Sequence, residues 1–102
     1  MAEYIFSILR SQLMVVFSWG FHSPARLAGD AGLAFQVNGY KYSGAVDIVY
    51  DESADLFDVI LSNNGTRIEG VYADQLVEVI DNAVERTDDY EKRVRKSYEQ
   101  FN

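Results

Sequence analysis

The chain reads as one α+β domain over residues 1–102: a four-stranded antiparallel β-meander, with an N-terminal and a long C-terminal helix packed on one face, ordered α-β-β-β-β-α. Three observations carry that reading. Asn38-Gly39 and Asn64-Gly65 are each flanked by alternating apolar residues, and both residue types tolerate the positive φ of a two-residue type I′ hairpin. Apolar residues recur at helical spacing on either side of that stretch. The composition, 48% hydrophobic and 14% aromatic, supplies a core for a single domain of 102 residues.

The first helix is predicted over about residues 3–17. Ile5, Leu9, Leu13 and Val16 form its stripe, with Phe6 and Phe17 beside them, and Glu3 suits the positive helix end. Gly20 and Pro24 end it. An irregular segment from Ser18 to Gly32 follows and holds the only Trp, the only His and the only Pro.

Four strands are expected between Leu33 and Tyr72. Leu33, Phe35 and Val37 share a face, and the Asn38-Gly39 turn sets Phe35 opposite Tyr42 and Val37 opposite Tyr40. The same face continues through Val46, Ile48 and Tyr50, then Phe57, Val59 and Leu61. The Asn64-Gly65 turn then places Leu61 opposite Ile68, Val59 opposite Gly70 and Phe57 opposite Tyr72. Agreement of both hairpins on one apolar face is the argument for the register. Gly44 and Gly70 fall on that face, where a helix or ring would pack close over them. Gln36, Lys41, Ser43, Asp47, Asp58, Arg67 and Glu69 go to a largely wet face.

The second helix begins at Asp74, a good N-cap residue. Leu76, Ile80, Ala83, Thr87, Tyr90, Val94, Tyr98 and Phe101 step by three and four, with Val77 and Val84 widening the stripe. A helix running to the C-terminus would be a rod of roughly 40 Å, against a radius of gyration near ~13 Å for such a domain. Residues 90–102 are therefore a helical extension or a frayed end.

The absence of cysteine excludes disulfides, thiolate metal sites and a cysteine nucleophile. No basic start or uninterrupted apolar centre marks a signal peptide, and no run approaches a membrane span, so a soluble cytoplasmic protein is expected. Asn64-Gly65-Thr66 fits a glycosylation sequon but reads better as a hairpin tip.

No catalytic residue, metal site or cofactor site is expected. His22, Ser23 and Asp30 are the types of a triad, yet they neighbour each other in a loop instead of converging on a scaffold. Asp51-x-Ser53-x-Asp55 starts like a calcium loop, but Leu56 and Ser62 stand where Gly and Glu are needed. No glycine-rich loop precedes a helix as a phosphate site would require.

Charge is distributed unevenly. The net charge is −7 and the pI ≈ 4.5, with fourteen acids against Lys41, Arg67 and Arg86 in residues 27–91. Lys92, Arg93, Arg95 and Lys96 make the last residues basic, and the pairs Asp88–Lys92, Asp89–Arg93 and Glu91–Arg95 explain them as helix dressing. The acidic body opposes direct nucleic-acid binding.

The sequence Trp19-Gly20-Phe21-His22, then Phe35-x-Val37-x-Gly39-Tyr40-Lys41-Tyr42-x-Gly44, then Asp55-Leu56-Phe57-Asp58, then Tyr72-x-Asp74-x-Leu76-Val77 with Ile80-Asp81 resembles small uncharacterised proteins of gut Bacteroidetes mobile elements. The resemblance covers most of the chain. It implies a setting (a plasmid, conjugative element or prophage) and no activity.

The functional expectation is a non-enzymatic protein-interaction or assembly domain with a protein partner or as a homodimer. Its contact surface is expected at Trp19, Phe21, His22 and Arg26, with Trp19 and Phe21 at least partly exposed, and at Tyr90, Val94, Tyr98 and Phe101; the alternative for Trp19 and Phe21 is that they fold back to close the open end of the core beneath the first helix. The alternatives are an acidic DNA mimic and a small enzyme.

Overall fold

The N-terminal apolar run forms two helices instead of one, α1 (Ala2–Arg10) and α2 (Leu13–Ser18). The computed structural model, which describes residues 1–85, shows the break at Ser11 and Gln12. The Ser11 hydroxyl donates to the Ile8 carbonyl at 2.6 Å, and Gln12 leaves helical geometry at φ −135°, ψ 55°. A side chain that bonds the helix's own carbonyls competes with continuation of the helix. The break re-aims the stripe. Ala2, Ile5, Leu9 and Val16 are buried, but Leu13 is 44% exposed, Phe17 63% and Met14 85%.

The segment expected to be irregular contains a strand, β1 (His22–Arg26), so the sheet has five strands and not four. All five of its residues are exposed. It has neither apolar alternation nor freedom from proline, and an edge position is where a strand tolerates both. Its pairing with the next strand runs through His22↔Gln36, Ala25↔Ala34 and Arg26↔Leu33, with an irregularity between His22 and Ala25.

The remaining strands are β2 (Gly32–Asn38), β3 (Ser43–Asp51), β4 (Leu56–Leu61) and β5 (Thr66–Val71), and the antiparallel order is β1-β2-β3-β4-β5. The first hairpin is not a two-residue turn. Phe35 pairs with Val46 and Val37 with Gly44, instead of with Tyr42 and Tyr40. The shift of four is even, so the strand side chains keep their expected faces, but Tyr40 falls in the loop and is 66% exposed.

The cause of that shift is the last helix, α3 (Leu76–Val84). The loop from Gly39 to Tyr42 stays open because its backbone serves the end of α3. Lys41 N–H and Tyr42 N–H donate to the Val84 carbonyl at 2.8 and 3.3 Å, and Tyr40 N–H donates to the Glu85 carboxylate at 2.9 Å. The Lys41 ammonium reaches the Asn82 carbonyl. Helix C-termini leave carbonyls that need such donors. Gly39 accordingly does not take positive φ. It is small because Val84 lies where a Cβ would sit, 2.3 Å from Val84 Cγ1 and 2.4 Å from its carbonyl oxygen.

The second hairpin pairs Leu61 with Thr66 and Val59 with Ile68, two residues short of the expected register, and Gly65 takes the expected positive φ of 73°. A bulge between Phe57 and Val59 then changes the end of β5. Gly70 sits at φ 69° and its N–H donates to Asp58, which also accepts from Arg67 Nη2 at 2.7 Å. Asp58, expected on the wet face, is therefore buried, and Gly70 serves the bulge instead of close packing. Gly44 faces the Asn63 side chain, not a helix or ring. Val71 replaces Tyr72 opposite Phe57, so Val71 is buried and Tyr72 is 59% exposed.

A 3-10 turn, Ala73–Gln75, precedes α3. Asp74 lies within that turn and makes no side-chain cap bond, so the expected N-cap role does not hold. Leu76, Val77, Ile80 and Val84 are buried as their spacing predicts. The extension of that stripe, Thr87 with Tyr90, Val94, Tyr98 and Phe101, lies outside the described residues. The core lies between one sheet face (Leu33, Phe35, Val37, Val46, Ile48, Phe57, Val59, Leu61) and the helices above it. No described helix is long and apolar enough to cross a membrane.

Replacing Gly39 with Val forces either the hairpin loop or the end of α3 to move. A loss of about 1–3 kcal/mol is expected in urea unfolding. Unchanged stability would contradict the close approach of Val84 to this loop.

Candidate functional site

The aromatic segment expected to form one surface divides into a buried part and an exposed part. Trp19 is completely buried, which corrects the expectation that it is exposed. Its indole stacks on Phe35 at 6.5 Å between ring centroids, and Nε1–H donates to Asp81 Oδ1 of α3 at 2.9 Å. Its carbonyl accepts from Asn38 N–H at 2.8 Å. A large ring with a matched polar partner is worth more in the core than at the surface. Phe21 is half-buried, with its ring 4.7 Å from Phe35 and 6.2 Å from Phe6.

His22 and Arg26 remain exposed on β1. His22 Nδ1 donates to the Gly20 carbonyl at 2.9 Å, which puts a proton on that nitrogen. The partners of Asp30 lie elsewhere. Its carboxylate takes the Ala2 N–H at 3.2 Å, the Met1 ammonium and Arg26, and these hold its pKa below the usual carboxylate value, the Met1 bond first. His22, Ser23 and Asp30 thus form no relay. Arg26 also pairs with Glu3 at 3.3 Å, and it lines a groove of ≈ 380 Å³ with Phe6, Arg10 and Pro24. Tyr90, Val94, Tyr98 and Phe101 lie outside the described residues.

Two surfaces carry exposed apolar side chains, several of which the spacing assigns to buried faces. One is α2, where Leu13, Met14 and Phe17 stand at i, i+1 and i+4 and are the most exposed apolar residues of the N-terminal helices besides Tyr4. The only hint in the sequence was the Ser11-Gln12 interruption.

The other is a cleft of ≈ 420 Å³ at the far end of the sheet, where Tyr4 of α1 meets Tyr50, Asp55, Phe57, Tyr72 and Asp74. The cross-strand pair Tyr50↔Phe57 brings two rings to 5.4 Å, and Tyr4 stacks on Phe57 at 6.3 Å. The β3–β4 turn is fixed by Asp51, whose Oδ1 accepts from Ser53 N–H and from the Ser53 hydroxyl at 3.1 and 2.7 Å. Those bonds, the hydroxyl first, lower the Asp51 pKa. These bonds make the turn an Asx turn. Among the described residues no group of three or more His, Cys, Asp or Glu stands close enough to hold a metal ion.

Asp55 takes positive φ, 55°, and its Oδ1 accepts from the Tyr50 hydroxyl at 2.5 Å. That bond favours the neutral phenol, and the nearby carboxylates of Asp55, Glu52 and Asp51 oppose ionisation, so the Tyr50 pKa is raised. No family model, curated protein or solved structure matches the chain.

The Tyr50–Asp55 bond has a pH signature. Because the phenol's pKa is raised in the folded state, its stabilising contribution is full below the ordinary tyrosine value of about 10 and is lost as pH rises through the raised value. Phenolate absorbance of the wild type minus that of Tyr50→Phe should titrate above ordinary tyrosine. Asp55→Asn should move that midpoint down. A midpoint at the ordinary value in the wild type would contradict the bond.

Proposed function

We propose that the protein is a non-enzymatic interaction and assembly domain that acts through protein contacts, pairing with a second copy of itself or with a protein partner. The observation that carries this reading is the exposed face of α2. Leu13, Met14 and Phe17 are held outward on a helix whose other side is anchored, through Val16 and the adjoining Trp19, in the core. Burying a side chain of this kind is worth about 1.5–3 kcal/mol, and contiguous exposed apolar surface marks an interaction site.

The chain's last stripe supports the same reading. Tyr90, Val94, Tyr98 and Phe101 repeat at helical spacing after α3. Four consecutive repeats of apolar residues need a covering surface if they form a helix. The α2 face lies on the same side of the molecule as the end of α3, since Trp19 joins the end of α2 to Asn38 of β2, and the adjoining loop caps α3 at Val84. A plasmid, conjugative element or prophage is the setting that the resemblance implies for such a domain.

Replacing Met14 and Phe17 with Glu tests the reading without touching the core. The wild type is expected to show a mass above the monomer, or to be cross-linked to a partner in its native extract. The double variant is expected to lose that association while keeping its thermal unfolding midpoint. A monomeric, partnerless wild type that the substitutions leave unchanged would contradict it.

A further inference from the structure

We propose that the aromatic cleft at the β3–β4 end of the sheet binds a small quaternary ammonium cation. The site lies at the opposite end of the sheet from the α2 surface, because the β2–β3 and β3–β4 connections of an antiparallel meander fall at opposite ends, and the inference is independent of the assembly reading.

The cleft is built from rings and carboxylates. Phe57 is buried and packs against both Tyr4 and Tyr50, and Tyr72 joins them in the lining. Tyr4 and Tyr72 are 52% and 59% exposed, although each carries a large apolar ring. Asp55 and Asp74 contribute negative charge to the same lining. The volume of ≈ 420 Å³ falls within the range of small-molecule sites.

The ligand class follows from that chemistry. Aromatic faces are electron-rich and attract a cation placed over them, and the carboxylates add Coulomb attraction. An anion would be repelled. A neutral apolar ligand would take water from the carboxylates with no compensation. A metal ion needs several free oxygen ligands, whereas Asp55 already accepts from Tyr50. A primary ammonium is strongly hydrated and needs acceptors for all of its N–H groups. A quaternary ammonium has no N–H to satisfy and loses little hydration against rings.

The site is also preorganised. Phe57 is locked between Tyr50 and Val71 in the ladder, and the Gly70 bulge is what turns Tyr72 outward. Asp55 is held at positive φ with its carboxylate on the Tyr50 hydroxyl, a conformation that few non-glycine residues adopt. Met1 also lines the cleft, and its ammonium is neutralised by Asp30.

Choline and its neutral isostere 3,3-dimethyl-1-butanol separate the cationic from the apolar contribution. Titrated into the full chain by calorimetry and by NMR of the tyrosine ring protons, choline is expected to bind saturably at one site. The neutral isostere should bind on the order of tenfold more weakly. Tyr72→Ala and Asp74→Asn, both at exposed positions, should each weaken choline about three- to tenfold while leaving the thermal midpoint in place. Absence of saturable choline binding at millimolar concentrations would overturn the proposal. So would equal binding of the isostere, or an affinity that neither substitution changes.

Discussion

Burial of the single indole is the constraint on which the rest of the fold depends. Trp19 stands at the end of α2, stacks on Phe35 of β2, and donates to Asp81 of α3, while its carbonyl takes the N–H of Asn38 at the end of β2. One residue thus ties α2 and α3 to the sheet. A buried aromatic of this size removes about 150–250 Å² from water, worth roughly 4–6 kcal/mol as an upper bound. Its N–H would cost about 1–3 kcal/mol if left unpaired, so Asp81 decides where the ring can sit. With Trp19 fixed, α2 cannot continue the line of α1, and Leu13, Met14 and Phe17 are turned outward.

The hairpin loop on the same side shows tertiary demand overriding local turn chemistry. Asn38-Gly39 has the composition of a tight turn, and taken alone it would form one. The carbonyls at the end of α3 need donors, and the backbone from Tyr40 to Tyr42 supplies them only if the turn opens. Sidedness survived because the register moved by an even number. Leu33, Phe35, Val37, Val46, Ile48, Phe57, Val59 and Leu61 were all legible as core from alternation alone. At the second hairpin the bulge at Gly70 is a one-residue change, and there Val71 replaces Tyr72 in the core and Asp58 becomes buried.

What the sequence did not disclose shares a physical cause: each feature depends on a partner far along the chain. The acceptor of the Trp19 indole lies 62 residues away. Strand β1 has no alternation because both of its faces are exposed, so only its pairing with β2 defines it. Of the expected contact residues, His22 and Arg26 are surface groups and Phe21 is half-buried, but Trp19 belongs to the core. The cleft draws Tyr4, Tyr50 and Phe57 from three elements and Tyr72 from the residue after β5, and the alignment of Tyr50 with Phe57 and of Phe57 with Tyr72 hinted at it. The two ends of the sheet thereby acquire different chemistry, an apolar helical face at one and an acidic aromatic cleft at the other.

The most direct test of this account is thermal unfolding followed at once by Trp19 fluorescence and far-UV circular dichroism. If Trp19 joins the helices to the sheet, native emission is blue-shifted and shielded from acrylamide, and both signals are lost in one coincident transition. Emission at the wavelength of a solvated indole in the native state, or a fluorescence change that precedes loss of the sheet and helix signal, would contradict it.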